Sequence, residues 1–248
     1  MQKLIITQQR ILGLLLMAFL IFPPSSIDAQ SRSKYKSSYS NSNGKSKIHI
    51  TNNGKNFKIE YEGDITLSND DSDIIAISDG GFIEITKSSF GSKRRILIES
   101  DRSGNLIKKY YVGRSEKNYD TEGREWLAEI LPEVVRTTTI AAESRVDRFY
   151  GQGGANAVLN EIKKMDSDYV ESAYLKILLD KNLSSDELVS VIETAGRTIN
   201  SDHYLSEILK SNQQAFLANG RTIDAYIDAC RSINSDHYVT SVLKQVIK

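Results

Sequence analysis

Ile199-Asn200-Ser201-Asp202-His203-Tyr204 returns letter for letter as Ile233-Asn234-Ser235-Asp236-His237-Tyr238, 34 positions later. Ala195, Arg197 and Thr198 are matched in phase by Ala229, Arg231 and Ser232. One step back along the chain stands Met165-Asp166-Ser167-Asp168-Tyr169, a third, degenerate copy. Between these marks the apolar residues recur with helical spacing. Val170, Ala173, Tyr174, Ile177 and Leu178 make one stripe, and Leu188, Val191, Ile192 and Ala195 its partner. Leu205, Ile208, Leu209 and Phe216, then Ile223, Tyr226, Ile227 and Cys230, repeat the arrangement. Val239, Val242, Leu243, Val246 and Ile247 form a last stripe. Two-helix units of this length cannot bury their stripes alone, so residues 165–248 are expected to stack as an α-solenoid of helical hairpins. The period is that of tetratricopeptide repeats, but the Trp, Gly and Pro landmarks of that consensus are missing.

The repeated hexapeptide has a reading without chemistry. Ser167, Ser201 and Ser235 are suited to cap helices, with Asp168, Asp202 and Asp236 in the first turn where negative charge suits the helix dipole. Tyr169, Ile199, Tyr204, Ile233, Tyr238 and Cys230 are assigned to the core of the repeats. Ser-Asp-His in succession is no nucleophilic triad. Consecutive helical residues point about 100° apart, and a triad needs mutual hydrogen-bond reach.

Upstream the period is two. Ile48 and Ile50, Phe57 with Ile59 and Tyr61, Ile75 and Ile77, Phe82 with Ile83 and Ile85, Ile96 and Ile98, and Leu106 to Val112 are separated by polar turns. Asn52-Asn53-Gly54 and Asp79-Gly80-Gly81 are typical of those turns. This predicts an antiparallel β-meander over residues 47–118, of six or seven strands with one covered face. Residues 119–164 read as junction helices. Asp120 or Thr121 caps the first, Pro132 kinks or splits it, and Gly151, Gly153 and Gly154 end the second. The expected fold class is α+β, an antiparallel sheet followed by a solenoid.

The first 29 residues read as a signal peptide. Lys3 and Arg10 precede the apolar run Ile11–Phe22, Pro23-Pro24 breaks it, and Ile27-Asp28-Ala29 places cleavage after Ala29. Spanning a bilayer takes about 20 apolar residues, which the run does not supply; a short uncleaved anchor is the alternative. Residues 30–46 hold no aliphatic side chain and read as a disordered tether, with Tyr35 and Tyr39 exposed. Cleavage removes Lys3, Arg10 and Asp28 and leaves 30 basic and 31 acidic residues. That balance excludes a general polyanion binder, so no nucleic acid is expected as a partner. The single Cys230 excludes an internal disulfide, and three histidines leave little for a metal site.

Several constellations invite chemistry. Arg124, Arg136, Arg145 and Arg148 crowd the junction helices and would clamp a carboxylate-bearing ligand; pairing with Glu122, Glu125, Glu133 and Glu143 is the favoured reading. Asn69, Asp71 and Asp73 resemble the start of a calcium loop but lack its Gly and distal Glu, so a solvated turn is favoured. Gly151-Gln152-Gly153-Gly154 lacks the Lys-Ser/Thr of a phosphate loop. Glu60, Glu62, Glu84 and Glu99 on strands are the candidates for a carboxylate-pair hydrolase. Cys230 on an apolar stripe reads as an inert thiol, and Trp126 as packing between sheet and helix.

Gly81-Phe82-Ile83-Glu84-Ile85, Lys93-Arg94-Arg95, Tyr111-Val112-Gly113, Trp126-Leu127, Val135-Arg136, Ala142-Glu143-Ser144-Arg145-Val146 and the Ser-Asp-Tyr repeats together resemble a bacterial extracytoplasmic module. It is a β-rich segment followed by helical repeats, found alone or attached to antirepressor-type membrane zinc peptidases related to β-lactam sensors. The resemblance covers roughly residues 75–248. No His-Glu-x-x-His motif is present, so no catalytic role transfers, and the resemblance implies a sensing or adaptor part. The expectation is a non-enzymatic exported envelope protein, periplasmic or at the cell surface, without cofactor, binding envelope protein partners through its repeats and keeping no membrane span after cleavage. A surface adhesin binding through the β-segment is the alternative.

Overall fold

The computed structural model of the protein describes residues 36–42, 44–52, 55–89 and 91–244. The expected signal peptide, its cleavage after Ala29 and Tyr35 lie outside the described residues.

The alternating half folds as predicted into an antiparallel sheet, but the sheet starts earlier. Its strands are β1 (Lys36–Ser42), β2 (Lys45–Asn52), β3 (Lys55–Glu62), β6 (Phe82–Ser89), β7 (Ser92–Ser100), β8 (Leu106–Val112) and β9 (Ser115–Lys117), in that spatial order. Between β3 and β6 the short hairpin β4 (Ile65–Leu67) and β5 (Ile74–Ile77) forms a separate two-stranded sheet. Register Ile48↔Ile59, Ile59↔Ile85 and Ile85↔Ile96 aligns four isoleucines across one face, all at most 2% exposed. Period two puts the charged residues on the opposite face.

The tether expected over residues 30–46 is corrected for 36–42. All seven residues of β1 are exposed, so burial does not make it a strand. A continuous ladder from Lys36↔Thr51 to Ser42↔Lys45 does, with Tyr39 at its centre. The Tyr39 hydroxyl donates to Thr137 O at 3.0 Å, and its ring lies 4.9 Å from that of Tyr169.

A π-helical turn at Tyr119–Gly123 leads into the helices, capped by Asn118 rather than by Asp120 or Thr121. The helices are α1 (Arg124–Thr137), α2 (Ala142–Ile162), α3 (Asp168–Leu179), α4 (Ser185–Thr198), α5 (Asp202–Ser211), α6 (Gln213–Phe216), α7 (Gly220–Cys230) and α8 (Asp236–Leu243). α1 continues through Pro132 as one element, so the helix is not split there. The predicted glycine break is present inside α2, where Gly153 and Gly154 are non-helical and Gly154 has φ +62°.

Two hydrophobic clusters divide the junction region. Trp126, Leu127, Ile130, Leu131, Val134, Val135 and Ile140 join the sheet. From Ala142 and Val146 onward the apolar residues belong to a helical core reaching Val242. The changeover falls at Ala141, a non-glycine residue at φ +56°, a conformation costing roughly 1–2 kcal/mol. Trp126 packs on Tyr110 with ring centroids 5.5 Å apart, as the sheet–helix reading required. Among the described residues no helix is long and apolar enough to cross a membrane.

Candidate functional site

The arginine cluster forms differently from the sequence expectation. Ser68 knots the loop between β4 and β5: its N–H donates to Asp73 O at 2.9 Å and its hydroxyl accepts from Asp73 N at 2.9 Å. This turn sets Asp71 at φ +57° and aims it inward, 7% exposed. Arg145, 1% exposed, donates from Nε and Nη2 to Asp71 Oδ2 at 3.0 and 2.8 Å. Its Nη2 also donates to Glu161 Oε1 at 2.8 Å, and its Nη1 to the Tyr174 hydroxyl. Arg148 grips Asp71 Oδ1 at 2.6 Å and Ser68 O at 2.8 Å. Arg136 and Lys164 close on Glu161 at 2.8 and 3.1 Å.

Two acids thus serve three arginines and a lysine. The solvated-turn reading of Asp71 and the pairing of these arginines with Glu122, Glu125, Glu133 and Glu143 are both corrected. Arg124 stands apart, exposed and 3.7 Å from Asp120. Burial pushes the Glu161 carboxyl up, but the bonds from Arg136, Arg145 and Lys164 together outweigh it and hold it at about 2. Arg145 meets protein acceptors through Nε, Nη1 and Nη2, so its charge is spent inside the fold. The cluster ties the β4–β5 loop to α2 and α3, and its buried arginine is closed to a ligand.

The repeated motif also acts through a different atom than predicted. Ser167 accepts from Val170 N, but Ser201 and Ser235 hold N-cap positions without a side-chain cap bond. The aspartates instead reach forward. Asp168 Oδ1 accepts from Asn200 N at 3.1 Å, and Asp202 Oδ1 from Asn234 N at 3.1 Å. Asp202 Oδ2 accepts from Ser235 N at 2.8 Å. Asp236 holds the same first-turn position in α8. These bonds satisfy backbone donors at the entrances to α5 and α8, where helices leave amides unpaired.

Beside these bonds runs a file of rings. Tyr169 lies 6.0 Å from Tyr204, His203 lies 5.1 Å from Tyr204 and 5.9 Å from Tyr238, and His237 packs on Tyr238 at 5.2 Å. His203 faces rings, not a serine nucleophile. Ile199 and Ile233 are buried as predicted, but Tyr169 is 37% exposed and leaves the core assignment, while Tyr204 and Tyr238 are half-buried. Cys230 is buried and burial pushes its thiol up to about 11, which suits an inert residue.

On another face, α4 and α7 enclose a groove of about 540 Å³. Its floor is Gly196, Ala225 and Ala229; a β-carbon on Gly196 would sit 3.1 Å from that of Ala229, so the helices touch there. Glu193 and Arg197 form one rim, Asp224 and Asp228 the other. Asn219 Nδ2 donates to Ser185 Oγ at 3.1 Å, and Arg221 pairs with Asp186 at 2.5 Å, joining the two helix entrances. The small floor residues were visible in the sequence, but nothing in their spacing marks a groove.

On the outer sheet face Glu60 and Glu84 stand directly opposite each other. Glu60 pairs with Lys58 at 2.6 Å and Lys47 at 3.5 Å, and Glu84 with Arg95 at 2.9 Å. The Lys58 hydrogen bond holds the Glu60 carboxyl below its ordinary range, which is opposite to the raised value a general acid needs. Among the described residues there is no group of three or more side chains suited to hold a metal ion.

No family model matches this chain, and neither a curated protein nor a solved structure is significantly similar to it.

Proposed function

We propose that this protein is a non-catalytic scaffold of the bacterial envelope, exported and acting as a sensing or adaptor part, whose helical half is a stack of two-helix repeats with a 34-residue period. The stack presents the groove between α4 and α7, the second helices of successive units, to a protein partner. One observation carries the reading: Asp168–Asn200 and Asp202–Asn234 are the same bond, at the same 3.1 Å, made one unit apart. Stacked units of this kind use their surfaces rather than an enclosed pocket. The resemblance to an extracytoplasmic module and the apolar run Ile11–Phe22 support export.

The test is affinity capture from bacterial envelope extracts with the full chain and with the rim variant Arg197→Glu/Asp224→Lys. Both positions line the groove and are exposed, so neither substitution removes a core contact. The reading expects a defined partner that the rim variant loses. Equal recovery by both proteins removes the groove as the binding element.

A second reading, a surface adhesin binding through the sheet, is favoured by β1, a seven-residue edge strand exposed along its length. Such edges offer backbone groups to a further strand. Replacing Ser38 with Pro would abolish capture under this reading and leave it intact under the first.

A further inference from the structure

Glu171 lies in the first turn of α3 and is 3% exposed. Its Oε2 is buried without a hydrogen-bond partner. The hydroxyl of Thr198, its neighbour at the end of α4, is buried too and lies near enough to favour the charged carboxylate weakly. In the repeat register, position 171 corresponds to Leu205, 1% exposed, and then to Val239. A carboxyl therefore occupies a seam position that the later units fill with hydrocarbon. Among the described residues, the groups acting on it are the Thr198 hydroxyl from α4, Asp168 on its own helix and Asp166 in the preceding loop. No cation is among them. An ionised carboxylate at such a place is far costlier than a neutral one, because burial removes its water and two neighbouring acids repel it.

We propose that Glu171 is a proton-operated latch on the seam between α3 and α4. Neutral, it packs as the later units' aliphatic side chains do. When its proton passes to solvent, the carboxylate left behind has to reach water, and the first turn of α3 loosens. That turn also holds Asp168, whose carboxylate carries the bond to Asn200 and hence to the next unit. Burial, with the Asp168 and Asp166 charges adding to it, pushes the carboxyl up to about 7, against the weaker pull of Thr198. The latch thus operates near neutrality and does not depend on which partner, if any, the groove binds.

The experiment is a pH titration of the full chain between pH 4 and 9. The side-chain ¹³C carboxyl resonance of Glu171 is expected to titrate near neutrality. A midpoint in the ordinary Glu range, about 4.3, overturns the proposal. Amide exchange at Asn200 and through the start of α3, corrected for the intrinsic pH dependence, is expected to quicken on the order of 100-fold from acid to alkaline pH. Glu171→Gln and Glu171→Leu, the second copying position 205, are expected to stay flat. Wild-type and variant profiles that coincide would show the residue to be passive.

Discussion

Arg145 reaches back 74 positions to place both Nε and Nη2 on one oxygen of Asp71, at 3.0 and 2.8 Å. The pair lies almost wholly out of water and joins a loop of the β half to a helix of the α half. Its worth follows from what removing one member leaves behind. A buried charge stripped of its partner is penalised far more than the intact pair is rewarded. Asp71→Ala is therefore expected to lower unfolding stability by about 3–5 kcal/mol. Arg145→Ala should cost a comparable amount, since it takes the shared cation from two buried carboxylates and leaves Asp71 with Arg148 alone and Glu161 with Arg136 and Lys164. Chemical denaturation monitored at Trp126 measures both, and a cost below 1 kcal/mol would show the cluster to be incidental.

Glu161 sets an acid limit on stability. Its carboxyl is held at about 2 against an ordinary 4.5, so the folded state releases this proton more readily than the unfolded chain. The stability it contributes is present above the ordinary value and is lost as pH falls from there towards about 2. The stake is on the order of 3 kcal/mol. Glu161→Gln should be less stable at pH 7 and should show a shallower decline in acid. Parallel pH–stability curves for the two proteins would contradict this.

Serines at the helix entrances are not equivalent. Ser184 forms a reciprocal capping box with Glu187, whereas Ser201 makes no cap bond. Ser184→Ala should cost about 1 kcal/mol and Ser201→Ala less than half of that. Asp202→Ala, which removes two forward bonds, should cost more than Ser201→Ala, about 1–2 kcal/mol. Equal melting shifts for Ser201→Ala and Asp202→Ala would return the motif to a plain helix cap.

Two glycines are fixed by close approach rather than by dihedral freedom. A β-carbon on Gly81 would lie 2.5 Å from Glu62 O and 2.9 Å from Ser78 O, both backbone atoms that cannot step aside alone. Gly81→Ala is expected to destabilise by about 2 kcal/mol or more. At Gly196 the obstacle is Ala229 on the neighbouring helix. Gly196→Val should wedge α4 from α7, lower the melting temperature and deform the groove, while Val at exposed Gly220, where a β-carbon meets nothing, should do none of these.

Much of this protein is written locally. Alternation from Ile48 to Val112 fixes one face of a sheet because side chains on a strand change sides at each step. The recurring stripes of residues 165–244 fix paired helices because 3.6 residues make a turn. The break at Gly153-Gly154 is equally local, since it depends on backbone freedom alone. Polarity misled at β1, where a ladder to β2 and the Tyr39 anchor on Thr137 order a segment that has no core to bury. It misled again at Asp71, which reads as one more acid in a wet turn until the fold carries it under Arg145. Ser201 reads as a cap because its neighbours suit one, yet the bond that matters leaves from Asp202 to a donor 32 residues on. Periodicity and turn chemistry are properties of neighbours, so the chain states them outright; which distant charge meets which depends on how the two halves close, and only the packed molecule decides that.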